Sequence, residues 1–181
     1  WEAGFQAFAG LEESVRERHQ LVIVCLLDAP SRAEFQGLAR NLGIESRIVL
    51  TGGVDDETLL AVYQGASALI FPSFAEGFGI PLTEAMASGV PIVASDIPVF
   101  REVAGDAARF VDPTQVDHLA DDLGRVLTDR SLRRELIEKG RRQVERYRWP
   151  KVIERTEAFL DEAAKTRSAV PETKPRQSRD K

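Results

Sequence analysis

The sequence has a single cysteine and only two histidines, which limits the chemistry that the chain can carry. Cys25 has no partner for a disulfide within the chain, and His19 and His118 are too far apart in sequence to form a usual metal cluster. We therefore expect neither a resident metal nor a bound cofactor. A lone thiol also favours a reducing compartment, so we expect a cytoplasmic location.

Long hydrophobic runs and an excess of basic residues are also absent. No apolar run approaches the roughly 18 residues of a membrane-spanning helix, and no signal peptide is visible. The net charge of −5 offers no electrostatic basis for binding nucleic acid. Apolar residues make up 43% of the chain and charged residues 29%, which is ordinary for a globular chain that buries a sizeable core.

Short apolar runs alternate with helical patterns along the chain, which is typical of a parallel sheet. We predict strands over residues 21–27, 47–51, 68–71, 91–94 and 108–111. We predict helices over residues 1–11, 32–42, 81–88, 116–128, 131–144 and 150–164, and one that Asp55 or Asp56 caps and that ends near residue 65. This order predicts an α/β fold with a Rossmann-like parallel sheet and helices on both faces.

The two ends of the chain differ from this regular pattern. The chain starts at Trp1 rather than at a methionine, and its first residues are already helical in pattern, with Phe5, Phe8 and Leu11 on one face. A βα unit would thus lack its strand, so we expect a piece of a larger protein whose first strand is missing. We assign residues 1–165 to one domain and residues 166–181, which are polar and proline-containing, to a disordered tail.

Residues 71–96 have the pattern of a complete ligand-binding strand–loop–helix–strand unit. The strand ends at Phe71, a loop with Gly77 and Gly79 follows, and Pro81 lies in the first turn of the next helix, where proline is favoured. Ligands of open α/β sheets bind at the carboxyl ends of the strands, where this loop lies. The unpaired N–H groups and the positive dipole at the helix start predict a phosphate site.

Two carboxylates frame this predicted site, Glu76 before the glycines and Glu84 in the first turn of the predicted helix. A carboxylate repels phosphate, so we expect at least one of them to accept hydrogen bonds from a diol such as a ribose. The alternative is that Glu84 only stabilises the helix start, by well under about 1 kcal/mol. The spacing alone leaves both interpretations open.

The same residues, FPSFAEGFGIPLTEAMASGVPIVASD, resemble the signature of retaining, nucleotide-sugar-dependent glycosyltransferases of the two-Rossmann GT-B type. More narrowly, they resemble family four, the large group 1 family, which carries two glutamates separated by seven residues, as Glu76 and Glu84 are. The resemblance continues through IVLTGGVDDETLLAVYQGASALIFPS and VFREVAGDAARFVDP, and covers the chain to about Leu160. It implies one half of a GT-B fold, the C-terminal domain that binds the nucleotide-sugar donor.

The resemblance also implies roles for individual residues. Glu76 would contact the transferred sugar, and Glu84 would bind the ribose of the nucleotide. The other implied contacts are to the sugar from Phe78, Gly79 and Ile80, to the diphosphate from the amides of Leu82 and Thr83, and to the base from Val54 and Asp56. A carboxylate at Asp56 could accept from a guanine edge, but the donor stays open among UDP-, GDP- and ADP-sugars.

The implied activity is the transfer of a hexose-type sugar from a nucleotide-sugar donor to an acceptor. An Arg/Lys clamp on the diphosphate, the N-terminal acceptor domain and any peripheral membrane link would precede Trp1, so we expect the isolated chain to be inactive. One alternative is a non-catalytic module that binds nucleotide sugars. A less favoured one is a glycoside hydrolase, whose two carboxyl groups lie about 5 to 10 Å apart. The sequence identifies neither the sugar, nor the base, nor the acceptor.

Overall fold

A computed structural model describes residues 1–168, with side chains described as far as Lys165. The chain divides into two units, Trp1–Glu145 and a second unit that begins at Arg146. The strands of the first unit are β1 (Leu21–Ile23), β2 (Ile48–Leu50), β3 (Leu69–Phe71), β4 (Ile92–Ser95) and β5 (Ala108–Val111). Its helices are α1 (Glu2–Ala9), α2 (Glu13–Arg16), α3 (Ala29–Asn41), α4 (Asp56–Gly65), α5 (Ile80–Ser88), α6 (Pro98–Ala104), α7 (Val116–Thr128) and α8 (Arg130–Val144).

All strand pairs are parallel, as predicted, but they form two hydrogen-bonded sheets rather than one. β1 pairs with β2, with Leu21 opposite Ile48, and the second sheet has the order β3-β4-β5. Within the described residues, no pairing joins β1 to β3. The alternation of apolar runs predicts strands but not their neighbours, so it could not show this division. The missing first strand stays a prediction.

Two local differences from the predicted elements have simple causes. β1 ends at Ile23 rather than near residue 27, because β2 ends at Leu50 and the last ladder bond runs from Thr51 N–H to the Ile23 carbonyl. The helices α2 and α6 have no counterpart among the predicted ranges, because each is too short to show a periodic pattern.

Helices cover both faces of the three-stranded sheet, as predicted. All four residues of its central strand β4 are buried, although neighbouring side chains of a strand point to opposite faces. On one face, Val93 belongs to a core that includes Phe5 of α1, Val111 of β5 and Leu119 of α7. The predicted apolar face of α1 is confirmed, since Phe5 and Phe8 are both buried. Each such side chain contributes about 1.5–3 kcal/mol on burial.

The second unit contains the helix α9 (Trp149–Ser168). The helix continues past the predicted boundary at residue 165, and the rest of the predicted tail, residues 169–181, lies outside the described residues. Four large apolar side chains of α9 are exposed: Trp149, Ile153, Phe159 and Leu160. In the part of the chain that the structure describes, no helix is both long and apolar enough to cross a membrane.

Candidate functional site

The loop between β3 and α5 places its last residue, Gly79, at the start of the helix. Gly79 is the N-cap of α5 and has a φ of 90°, a backbone conformation that residues other than glycine rarely adopt. A Cβ built on Gly79 would lie 2.8 Å from Cε1 of Phe100, which is fully buried. Phe100 is in turn stacked on Phe71 of β3, with ring centroids 5.1 Å apart. Glycine is therefore required here both for the backbone conformation and for the space.

The start of α5 has an open N-terminus, as a phosphate site requires. Gly79 supplies no side-chain cap, and Pro81 lies within the first two positions, so that it contributes no N–H. The amide of Leu82 donates to the Gly79 carbonyl at 2.9 Å, so a phosphate bound there would have to share this N–H. The Thr83 hydroxyl donates to the Ile80 carbonyl at 2.7 Å and is turned back onto the helix. The diphosphate contacts of Leu82 and Thr83 stay predictions.

The position of Glu84 differs from the predicted one. The helix begins at Ile80, so its first turn ends at Thr83 and contains no acidic residue. Helix-dipole effects fall off within the first turn, which removes the basis for treating Glu84 as a simple stabiliser of the helix start. The half-buried Glu84 side chain instead accepts a hydrogen bond from the hydroxyl of Tyr63 in α4, with an O–O distance of 2.9 Å.

Tyr63 has a pKa well above the ordinary value of a tyrosine. Burial of the ring is the largest cause, and the hydrogen bond to the Glu84 carboxylate adds to it. Both disfavour the phenolate, because a buried anion loses solvation and would face a second negative charge. The Tyr63 hydroxyl therefore stays protonated and donates to Glu84 across the whole physiological pH range.

Glu76 lies in the exposed loop before Gly77. Its Oε1 atom is 2.9 Å from the hydroxyl of Ser73, which donates to it. Glu76 and Glu84 therefore share one arrangement, in which a hydroxyl of the chain occupies one carboxylate oxygen. Within the described residues, the second oxygen of each carboxylate, Glu76 Oε2 and Glu84 Oε1, has no hydrogen-bond partner. Each can accept from a ligand.

The segment that carries these carboxylates also exposes apolar side chains. Ile80 is 60% exposed and Phe78 42%, although both are large apolar side chains. Leu82, in contrast, is entirely buried, so its side chain offers no surface to a ligand. Exposed apolar groups in the same segment as hydrogen-bonding carboxylates suit the faces and hydroxyls of a sugar ring.

The turn after β2 carries the residues predicted to contact a base. The structure decides that Asp55 rather than Asp56 caps α4, since Asp55 accepts a 2.8 Å bond from the Thr58 amide. Hydrogen bonds from Thr58 lower the pKa of Asp55. Asp56 is exposed and Val54 half-exposed, and Asp56 has no hydrogen-bond or ion-pair partner among the described residues. Asp56 remains open to a ligand.

Asp56 and Tyr63 connect this turn with the carboxylate site. They lie seven residues apart in α4, which is about two helical turns, so they share one face of the helix, about 10 Å apart along its axis. α4 thus extends from the predicted base contact to the side chain that donates to Glu84. The Tyr63 contact was missed in the sequence, because no local pattern connects a tyrosine of one helix with a glutamate of the next.

The end of β4 carries an ion pair that no sequence pattern predicted. Asp96 accepts two hydrogen bonds from Arg101 of α6, which lower the pKa of Asp96. The guanidinium also lies over the ring of Phe110 of β5, 4.9 Å from its centroid. Arg101 is therefore engaged within the fold. The described residues contain no group of three or more His, Cys, Asp or Glu side chains that could bind a metal ion.

Comparison with known proteins identifies a family that matches most of the chain. The family model "Glycosyl transferases group 1" matches residues 4–143. The MMP alpha-(1->4)-mannosyltransferase of Mycolicibacterium hassiacum is 43% identical over 131 residues, which are 70% of this chain and 32% of that protein.

Two solved structures have a similar fold. Sucrose-phosphate synthase from Thermosynechococcus elongatus superposes with a TM-score of 0.81 at 25% identity, over 91% of this chain and 42% of that one. HepE from Anabaena, solved in complex with UDP and glucose, superposes with a TM-score of 0.73 at 19% identity, over 93% of this chain and 44% of that one. The chain thus spans about a third of the mannosyltransferase and less than half of each solved chain. Because the family model covers most of the first unit, the chain belongs to the group 1 glycosyltransferases and has the Rossmann-like fold of the C-terminal domain of a GT-B enzyme.

Proposed function

We propose that this chain is the donor-binding domain of a retaining glycosyltransferase that transfers a hexose-type sugar from a nucleotide-sugar donor to an acceptor. The observation that carries the proposal is the pair Glu76 and Glu84, one before and one after the start of α5 in the chain, where no side chain caps the helix. Each carboxylate has one oxygen bonded to a hydroxyl of the chain and one oxygen open to a ligand. The similarity to a mannosyltransferase supports a hexose as the transferred sugar.

We assign each part of the donor to one part of the site. The diphosphate lies at the start of α5, where no side chain caps the helix and the helix dipole favours negative charge and stabilises the leaving group. Glu84 accepts from the ribose, and Glu76 accepts from a hydroxyl of the sugar. The exposed side chains of Phe78 and Ile80 border the sugar, and the turn at Val54 and Asp56 contacts the base.

Two parts of the proposal rest on the family rather than on the described geometry. Retention at the anomeric carbon follows the family resemblance, as does the partner that completes the cleft, an N-terminal acceptor domain. Transfer requires both walls of that cleft, because orientation of the reactants supplies several kcal/mol of the barrier. Any membrane link belongs to that partner domain, and cytoplasmic location stays a prediction. The nucleotide-binding assignment does not depend on these parts.

Two other functions compete with this one. A non-catalytic module would bind the nucleotide sugar without transferring it. An assay of sugar transfer by the full-length protein distinguishes this function from the proposed one. A glycoside hydrolase would use the two carboxylates as acid and base, without need of a nucleotide. The open helix N-terminus between Glu76 and Glu84 favours a phosphate-containing ligand and therefore argues against the hydrolase.

Isothermal titration calorimetry of the chain with UDP, GDP and ADP tests the nucleotide assignment. We expect at least one of them to bind, and Glu84→Ala to weaken it about 10- to 100-fold, because a hydrogen bond to a charged group contributes about 1.5–3 kcal/mol. Glu34→Ala is the matched control, since Glu34 is an exposed glutamate of α3. Absence of binding by the unmodified chain, or equal losses in the two variants, would contradict the proposal.

A further inference from the structure

Tyr63 reaches the donor site from a different helix. It lies in the last part of α4, and its hydroxyl is 2.9 Å from Oε2 of Glu84 in the second turn of α5. The two residues are 21 positions apart in the chain, so only the packing of α4 against α5 brings them together. This contact connects Glu84, the carboxylate that we propose binds the nucleotide, to Tyr63, which has no proposed contact with the donor itself.

The direction of this hydrogen bond follows from the chemistry of the two groups. An ionised carboxylate only accepts, and a tyrosine has one O–H, so the proton of the bond belongs to Tyr63. The half-buried ring also has only two side-chain torsions, which makes its hydroxyl a fixed point compared with a longer polar side chain. Tyr63 is therefore a rigid donor.

A fixed donor changes what Glu84 can do. A glutamate has three side-chain torsions, and ordering them when a ligand binds carries an entropic cost that weakens the affinity. In this structure, the bond at Oε2 already restricts the carboxylate and leaves Oε1 open. The Glu84 side chain is therefore already ordered before a ligand binds, and ligand binding does not carry that entropic cost.

We infer that Tyr63 is a positioning residue, whose hydroxyl orients the Glu84 carboxylate so that Oε1 accepts from the nucleotide ribose. This inference rests on the proposed function, because it requires Glu84 to bind a ribose diol. Tyr63 acts through Glu84 and makes no contact with the nucleotide. Its contribution therefore appears in the preference for ribose over deoxyribose, not in the binding of the diphosphate or the base.

The test compares nucleotides that differ only in the ribose. Calorimetry of the chain measures the affinity for the ribonucleoside diphosphate that binds best and for its 2′-deoxy and 3′-deoxy forms. We expect Tyr63→Phe, which retains the ring and removes the hydroxyl, to lower the affinity for the ribo form about 3- to 10-fold. The affinity of this variant for the deoxy form that cannot bond to Glu84 should stay within about twofold of the value for the unmodified chain. Tyr147→Phe, which removes the other tyrosine hydroxyl of the chain, should change neither.

A double-mutant cycle separates positioning from a merely structural role. With Glu84→Ala present, Tyr63→Phe should have no further effect on either nucleotide, because no carboxylate remains to be oriented. A structural role would instead weaken the ribo and deoxy forms alike, and would do so with or without Glu84; that result overturns the inference.

The outcomes also distinguish this inference from the proposed function. If Glu84→Ala abolishes the ribo preference while Tyr63→Phe leaves it unchanged, the ribose assignment stands and the positioning role of Tyr63 is wrong. If the unmodified chain binds ribo and deoxy forms equally, the ribose assignment of Glu84 is wrong and the inference about Tyr63 fails with it. Circular dichroism melting of both Tyr63→Phe and Tyr147→Phe verifies that the compared variants are folded.

Discussion

Replacement of Gly79 by alanine tests the link between the fold and the site most directly. The new Cβ would lie 2.8 Å from Cε1 and 3.2 Å from Cδ1 of Phe100, and the residue would be forced to keep a φ of 90°. Phe100 cannot move away easily, because it is fully buried and stacked on Phe71. Gly79→Ala therefore combines backbone strain with overpacking at one atom.

The magnitude follows from these two contributions. Left-handed backbone at a non-glycine residue costs roughly 1–2 kcal/mol, and overpacking of a close-packed core costs roughly 1–3 kcal/mol. We expect Gly79→Ala to lower the free energy of unfolding by about 2–5 kcal/mol. At about 2–4 °C per kcal/mol for a chain of this size, the melting temperature should fall by about 4–20 °C.

Urea unfolding followed by circular dichroism measures this loss, and the same loop provides its control. Gly77 has no positive φ, and a Cβ built on it would meet nothing within 4 Å. Gly77→Ala should therefore change stability by less than about 0.5 kcal/mol. Equal losses for Gly77→Ala and Gly79→Ala would refute the reasoning. If the contact with Phe100 carries much of the cost, adding Phe100→Leu to Gly79→Ala should cost less than the sum of the two single changes.

Three further predictions concern the carboxylates, Tyr63 and α9. In a full-length enzyme that contains this domain, Glu76→Gln should lower the transfer rate and leave the affinity for the nucleoside diphosphate nearly unchanged, since the proposed contact of Glu76 is to the sugar. A loss of nucleotide affinity as large as the loss of rate would show that this assignment is wrong. Burial and Glu84 raise the pKa of Tyr63 in the folded chain above its unfolded value of about 10. Its contribution to stability is therefore complete below about pH 10 and is lost as the pH rises towards the folded pKa. The melting-temperature difference between the unmodified chain and Tyr63→Phe should thus be smaller at pH 11 than at pH 8. An unchanged difference would contradict a raised pKa of Tyr63 in the folded chain. Because the apolar side chains of α9 are exposed, the isolated chain should self-associate or bind a hydrophobic dye, and Phe159→Ser with Leu160→Ser should reduce both; light scattering from a clean monomer with low dye binding would exclude this surface.

The local structure was predictable from the sequence wherever the determining signal lies within a few residues. β5 (Ala108–Val111) and α7 (Val116–Thr128) have the predicted bounds, because apolar periodicity and the Asp112–Pro113 break between them act locally. Gly89 ends α5 with a φ of 70°, as its place after the last helical residue predicts. The parallel pairing and the loop at the carboxyl end of β3 follow from the same local patterns.

The two carboxylates of the candidate site were also predictable from local features of the sequence. Glu76 and Glu84 were identified by their spacing and their resemblance to a family signature, and both residues border the start of α5. Their roles remain proposals, because spacing does not show which oxygen of a carboxylate is open. The sequence left open whether Asp55 or Asp56 caps α4, because both are suitable capping residues, and the structure shows Asp55 accepting from the Thr58 amide.

Tertiary structure alone decided the features that depend on contacts between distant residues. The division into two hydrogen-bonded sheets depends on which strands become neighbours, and hydrophobic periodicity does not encode neighbours. The start of α5 at Ile80 placed Glu84 beyond the first turn, since Gly79 occupies the left-handed cap beneath Phe100. The hydrogen bond from Tyr63 to Glu84 exists only because α4 packs against α5. The sequence by itself thus determined the elements and the chemical groups of the site, whereas packing between helices determined how those groups are oriented.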